Sequence, residues 1–282
     1  MEDVPFGKGY KYTPKPRSVS QLKQFEKCPY AYKLARIYKV WRRPAAWLPQ
    51  GSAVHEALEA WERSNREMTL EEAQDVFRES YRKYTNSQCK TTPNWDWWFK
   101  SGPYDGFRDT ERRYEIGLEQ VEKLINWALD HPDERVWIAP DGKPAIELSF
   151  SITLGGITVR GFIDLVVEVY NPKTGEWELR VRDYKTGNDP GDDFQLGVYA
   201  LAVALKYGIP APKTGDYFMA GKKGKPGKPT YPYDLTEWDE EAVTAAFLEL
   251  EEKLKAGEFP ADPEPDKCNF CDVNTSCEFS VG

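Results

Sequence analysis

Alternation of apolar and polar positions is clearest in the middle of the chain. Residues 145–154 and 157–169 read as strands joined at Gly155-Gly156. The second is almost continuously apolar around Asp164, with Phe162, Ile163, Leu165, Val166 and Val167 as neighbours, which predicts a buried strand. Turn residues at 171–175 lead into a third strand, where Trp177, Leu179 and Val181 alternate with Glu178, Arg180 and Arg182. The two strands form a hairpin. A helix follows on the apolar run from Phe194, then a strand at 213–220 and a helix from Thr236 carrying Trp238, Val243, Phe247, Leu250 and Leu254.

Helical periods dominate the first half. Ser18 opens a capping-box pattern before a helix with Leu22 and Phe25 inward, and Cys28-Pro29 breaks it. Cys28 then caps a second helix through Lys33 and Arg36. A helix beginning at Gly51 carries Val54, Ala57, Leu58 and Trp61, another runs from Thr69 through Phe77 and Tyr81, and a third spans 105–130. Residues 84–107 read as irregular, with Trp95, Trp97 and Trp98 as a core plug in preference to a base-stacking surface. The order of elements predicts an α/β fold: a central mixed β-sheet flanked by helices, with a helical insertion over about 60–140. The expectation is a single domain, 1–282, with N-terminal helices at 18–50, a core at 141–235 and a tail at 260–282.

Chemistry concentrates at the end of the hairpin. Asp183 and Lys185 are two apart on a strand, so both side chains leave the same face. A register that sets Asp164 beside Asp183 would gather two carboxylates, a lysine and the Tyr184 carbonyl, an oxygen-rich setting suited to Mg²⁺ or Mn²⁺. A buried Asp–Lys pair is equally compatible with a structural ion pair. Gln195 and Tyr199, four apart, share one face of the following helix. His55 lies beside the apolar stripe of its helix, where a histidine is more often part of the core than a ligand. Alternation leaves Glu147 as free to face outward as to join the acids.

Composition narrows the field. The chain has 282 residues and a formal net charge of −8, with a pI near 5.1, which excludes bulk electrostatic coating of nucleic acid. DNA contact would need local patches, for which Lys33, Arg36, Lys39, Arg42 and Arg43 with Tyr38, Trp41 and Trp47, and the lysine-rich loop 221–228, are candidates; a solvated helix face explains the first group as well. With no apolar leader and no apolar run of membrane-spanning length, the expected location is the cytoplasm and no membrane partner is expected. Five cysteines in such a chain favour metal ligation or free thiols over disulfides.

In this order His55, Gly161-Phe-Ile-Asp164, Asp183-Tyr-Lys185 and Gln195-x-x-x-Tyr199 resemble the motifs of the RecB-type branch of the PD-(D/E)XK nuclease superfamily. The resemblance implies a restriction-endonuclease-like sheet and a Mg²⁺- or Mn²⁺-dependent deoxyribonuclease, an exonuclease acting on DNA ends or single strands. Asp164, Asp183, His55 and the Tyr184 carbonyl would hold metal, Lys185 would act on the attacking water, and Gln195 and Tyr199 would position the strand and the lysine. The rival is a nucleic-acid-binding or recombination-partner protein that keeps the fold without cleaving. The sequence contains no P-loop pattern, so unwinding would fall to a separate helicase or recombination protein.

Cys268-x-x-Cys271 is followed after five residues by Cys277, with Cys28 far upstream. Four thiolates can hold zinc or an iron–sulfur cluster, and spacing alone does not decide. One distant cysteine plus this tail is similar to the iron–sulfur nucleases of the same superfamily, including AddB and the CRISPR-adaptation nucleases. That resemblance implies a [4Fe–4S] clasp joining the N- and C-terminal segments, with Cys89 outside it.

Overall fold

The computed structural model describes residues 10–221 and 224–281. Residues 1–9, Lys222 and Lys223 of the lysine-rich loop, and residue 282 lie outside them. The chain divides into two compact units, one made of residues 1–42, 151–160 and 240–282, the other of 43–150 and 161–239.

Most residues of the sheet belong to the second unit. Strands β1 (Glu134–Val136) and β2 (Ile146–Leu154) both pair with β3 (Ile157–Asn171), whose other edge takes β4 (Glu176–Lys185). β4 runs antiparallel to β3, with Val166 opposite Val181, and parallel to β5 (Thr214–Met219), with Asp183 opposite Tyr217. The short β6 (Lys228–Pro229) and β7 (Tyr233–Asp234) complete a mixed sheet of seven strands among the described residues. The 155–156 turn and the 171–175 hairpin fall where turn chemistry places them.

Against this sheet lie α3 (Trp47–Arg63), α4 (Leu70–Thr91), α5 (Gly106–Asp130) and α6 (Asp193–Tyr207). Ala53, Val54, Ala57, Leu58 and Trp61 of α3 pack with Phe77, Tyr81, Val121, Leu124 and Ile125, and with Phe218 of β5. The i, i+3, i+4 stripes of three helices thus share one core. α3 begins four residues before Gly51, because Pro49 in its first turn lacks only an amide that has no helical acceptor there. α4 keeps the predicted Thr69 capping box but continues to Thr91, through residues the pattern marks as irregular. Trp98 is fully buried and its indole N–H donates to Thr92 O at 3.0 Å, so the tryptophan stretch is largely a plug, although Trp97 is exposed.

In the first unit α1 (Val19–Lys27) buries Leu22 and Phe25, and Ser18 accepts from the Gln21 amide. The reciprocal half of the box is missing, since Gln21 donates instead to Pro16 O. Cys28 caps α2 (Pro29–Tyr32), its sulfur accepting from Ala31 N–H, and a π-helical turn continues through 33–38. α7 (Glu240–Ala256) starts four residues after Thr236, and Trp238, ahead of it, packs on Gly197 and on the Phe194 ring at 5.2 Å. Arg17 reaches Glu251 of α7 through two hydrogen bonds of 2.7 and 2.9 Å. The short α8 (Pro265–Asn269) carries Cys268.

An ion network sits where alternation predicts outward-facing residues. Arg182 is 4 % exposed; its guanidinium binds both oxygens of Asp216 at 2.7 and 2.9 Å and both of Glu134 at 2.5 and 3.2 Å. Arg182 and Asp216 are register partners across the parallel β4–β5 pair, so the network ties these strands together.

Candidate functional site

The β3–β4 ladder ends with Leu165 opposite Arg182, which leaves Asp164 and Asp183 facing each other at its open end. Asp164 Oδ2 accepts from the Tyr184 amide at 2.7 Å. Side-chain periodicity does the rest: Lys185 Nζ lies 2.8 Å from Asp183 Oδ2, and 5.0 Å from the centre of the Tyr217 ring. From α6, Gln195 Nε2 donates to Asp183 Oδ1 at 2.6 Å and to the Tyr199 hydroxyl at 2.8 Å. One helical turn therefore brings both residues to the acid.

His55 enters from α3, its Nδ1 3.4 Å from Asp164 Oδ2 and 3.9 Å from Glu147 Oε1. Potential ligand atoms of His55, Glu147 and Asp164 all lie within 4.8 Å of one another. The helix is held here by a buried amide relay that residue patterns do not reveal. Gln50 bonds Gln120, Gln120 Nε2 donates to Thr186 O at 3.0 Å, and Arg113 donates to Gln50 Oε1 at 3.0 Å. Gly51 completes the approach, because a Cβ there would lie 3.2 Å from Thr186 Oγ1.

Glu147 is the acid that alternation leaves open. Its φ is 44°, a left-handed conformation that costs a non-glycine residue about 1–3 kcal/mol. The kink interrupts the period of two near the start of β2 and aims the carboxylate at His55. Arg63 fixes it from α3, donating to Ile146 O at 3.0 Å.

Electrostatics follow from this crowding. Burial alone would depress the His55 pKa, yet Asp164, with help from Glu147 and Asp183, holds it well above the ordinary value. Burial and then Asp164 push the Asp183 carboxyl up to about 6, against the pull of Lys185 and His55. Burial and the same two aspartates also raise the Tyr199 hydroxyl, which stays protonated. Such a group favours positive charge at its centre, which protonated His55 supplies or a divalent cation would supply in exchange for that proton.

The sign for stability is definite. Between the unfolded Asp value and about 6 the folded protein retains a proton on Asp183 that the unfolded chain has lost, so stability falls as pH rises through that window. Asp183→Asn removes the cost, less the lost Lys185 pair, and keeps an acceptor for Gln195. In chelator at pH 8 the variant should be more stable than the parent by about 1–3 kcal/mol, with the gap shrinking toward pH 4. Thermal melts at both pH values measure this. A variant less stable at both would make the Asp183–Lys185 pair a net structural stabiliser.

Four of the five cysteines, Cys28, Cys268, Cys271 and Cys277, lie in the first unit. Cys28, Cys271 and Cys277 pack on one small core of Tyr30, Leu34, Ala35 and Val273. Burial raises the Cys271 and Cys277 thiols, and neighbouring sulfurs add to it: Cys28 and Cys277 act on Cys271, Cys28 and Cys268 on Cys277. Among the described residues these sulfurs do not converge within 4.8 Å of one another as the His55 group does. Cys89 stands apart on α4, its thiol raised by burial alone.

The basic segment is already engaged with protein groups. Lys33 lies over Tyr30, Tyr38 and Phe259, Arg36 donates to Gln24, and Arg42 pairs with Asp272. In the second unit Arg43 stacks on Phe99 and bonds the Trp97 and Trp98 carbonyls. No described helix is long and apolar enough to cross a membrane.

Comparison with known proteins supplies the family and the fold. The sequence pattern of the PD-(D/E)XK nuclease superfamily matches residues 16–278. The chain is 61 % identical over 264 residues to the Gene 69 protein of Mycobacterium phage D29, covering 93 % of this chain and 96 % of the relative. It is 58 % identical over 283 residues to the Gene 69 protein of Mycobacterium phage L5, covering 93 % and 95 %. A crystal structure of a "Putative exonuclease" from Eubacterium rectale superposes with a TM-score of 0.50 at 15 % identity, over 95 % of this chain and 94 % of the other, a likeness of fold.

Proposed function

Because the chain belongs to the PD-(D/E)XK nuclease superfamily, we propose that it is a RecB-type deoxyribonuclease dependent on Mg²⁺ or Mn²⁺, an exonuclease hydrolysing DNA from ends or along single strands in recombination, repair or end processing. The observation that carries this reading is the meeting of His55, Glu147 and Asp164 beside the Asp183–Lys185 pair. The donors, one imidazole and several carboxylates, fit a hard divalent ion. His55, Asp164, Asp183 and the Tyr184 carbonyl would hold it, and Glu147 joins them. When bound, the ion supplies charge neutralisation at the phosphate and a more acidic water.

The chain's own residues do the remainder. Lys185, fixed between Asp183 and the Tyr217 ring, orients the attacking water and stabilises charge growing on the phosphate oxygens. Gln195 holds Asp183 in place, and Tyr199, protonated and bonded to Gln195, braces that amide. End-labelled linear and circular DNA, single- and double-stranded, incubated with Mg²⁺, Mn²⁺ or chelator test the reading. Linear molecules should be consumed only with metal, and circles spared. Nicking of circles at the same rate would make the enzyme an endonuclease, and no cleavage of any substrate would leave the non-cleaving alternative.

Glu147 offers a separate check on the metal set. Glu147→Gly relieves the left-handed strain while deleting the carboxylate, so the melting temperature should hold. Mn²⁺ affinity, followed by electron paramagnetic resonance, should fall about tenfold or more. Unchanged affinity would remove Glu147 from the site.

For the cysteines the reading is a [4Fe–4S] cluster on Cys28, Cys268, Cys271 and Cys277. It is supported by their gathering from both ends of the sequence within one unit and by the neighbouring sulfurs that add to the raised Cys271 and Cys277 thiols, a repulsion that the positive iron of a cluster core would relieve. Each single Ser variant at these four should lose brown colour and iron and melt at lower temperature, while Cys89→Ser should change neither. Zinc in the anaerobically purified protein would contradict it.

A further inference from the structure

The first unit contains a cavity of about 270 Å³ that neither the acid cluster nor the thiols use. Its walls are the rings of Tyr30, Tyr38, Phe259 and Phe279, and Pro260, Ala261, Lys33 and Glu278 complete the lining. The walls are braced in advance. Tyr30 and Phe279 meet edge to face at 4.9 Å, Tyr30 Oη donates to Glu278 at 2.8 Å, and the Tyr30 amide donates to Pro260 O at 3.2 Å. Phe259 is held by Tyr10 at 5.1 Å and Phe25 at 6.1 Å.

Three features define the occupant. Lys33 Nζ already lies 5.3–5.7 Å from the centres of Tyr30, Tyr38 and Phe259, so the attraction of these faces for a cation is met from within the chain. The Glu278 carboxylate on the lining opposes a phosphate inside the pocket. What remains is space smaller than the ~300–1,000 Å³ of pockets for drug-sized ligands, bounded by aromatic faces with the Lys33 ammonium as a donor and the Glu278 carboxylate as an acceptor, which suits a flat neutral heteroaromatic ring. Arg36 and Lys39, both exposed, follow Lys33 on the same segment, and Arg36 donates to the neutral Gln24 at 2.7 Å.

We propose that this pocket takes one unpaired nucleobase of a single DNA strand, stacked on its aromatic wall while Arg36 and Lys39 attract the flanking phosphates. The proposal rests on the nuclease reading for the identity of its polymer. The Watson–Crick edge of every unpaired base carries at least one donor and one acceptor, so Lys33 and Glu278 suit any base and recognition is sequence-tolerant. The neighbouring cysteines gain a role here, because Tyr30 follows Cys28 by two residues and Glu278 follows Cys277 directly. Holding those sulfurs together holds the pocket's two sides together.

The test compares affinity of the purified full-length protein for a short oligothymidylate and for a chain of abasic units of equal length, by fluorescence anisotropy in Ca²⁺. Phe279→Ala should weaken oligothymidylate binding about 5- to 100-fold, as expected for loss of one stacked base, and leave the abasic chain unchanged. Phe279→Trp should restore it, and Tyr38→Ala should repeat the selective loss if Phe279→Ala does not fold. Equal weakening on both chains, or none on either, would overturn the proposal. Cleavage is scored separately: base-selective binding without nuclease activity would sustain the pocket and reject the enzyme, whereas activity without base selectivity would do the reverse.

Discussion

Lys185→Ala is expected to lower the rate of DNA hydrolysis by about 10²–10⁴-fold, while DNA affinity in Ca²⁺ stays within about threefold of the parent. The amine lies directly against Asp183, at 2.8 Å, and over the Tyr217 ring. Charge builds on the phosphate and the water proton moves only in the transition state, so a lysine acting there changes turnover more than ground-state binding. Loss of Lys185 should also push the Asp183 carboxyl higher, since Lys185 is among the groups that lower it. Residual activity should therefore move to higher pH. Single-turnover cleavage across pH 6–9 measures both effects, and Lys185→Arg should not restore the rate, because a planar guanidinium cannot occupy the ammonium's point position.

Asp216→Ala should destabilise the protein by about 3–5 kcal/mol, a fall in melting temperature of roughly 10 °C. Asp216 is fully buried and receives two bonds from Arg182 and one from Arg180, so its removal strands guanidinium charge within the β4–β5 pair. Burial weighs against the Arg182 charge, and Asp216 and Glu134 overcome it to keep the pKa well above normal. Combining Asp216→Ala with Arg182→Met deletes the stranded charge and should recover much of the loss. Chemical denaturation of the single and double variants reads this; a double variant as unstable as the sum of its parts would contradict the network.

The contrast between these residues shows what sequence pattern can convey. Asp164, Asp183 and Lys185 were legible because a tight hairpin and a period of two leave few registers, and Gln195 with Tyr199 because one helical turn separates them. Arg182 lies in the same strand, but alternation assigns it to solvent; only the parallel pairing with β5 supplies Asp216, and that partner is distant in sequence. The facing of Glu147 stayed open for a local reason, since a backbone with φ of 44° breaks the alternation used to orient it. Gln50 and Gln120 escaped because a buried amide pair has the same composition as a solvated one. The α4 extension to Thr91 has too few apolar residues to signal helix, and continues from a strong capping box.

The central claim is that the acids around His55 hold the ion with which Lys185 works. Its most direct test is the rate of linear DNA hydrolysis as a function of Mn²⁺ concentration for the parent protein, Asp164→Ala and Lys185→Ala. The account predicts a saturating curve for the parent, abolished by chelator, no saturable activity in Asp164→Ala, and for Lys185→Ala a curve that still saturates but at a plateau about 10²–10⁴-fold lower, with each variant folded by circular dichroism. A parent-like saturation curve from Asp164→Ala would place the ion elsewhere and contradict it.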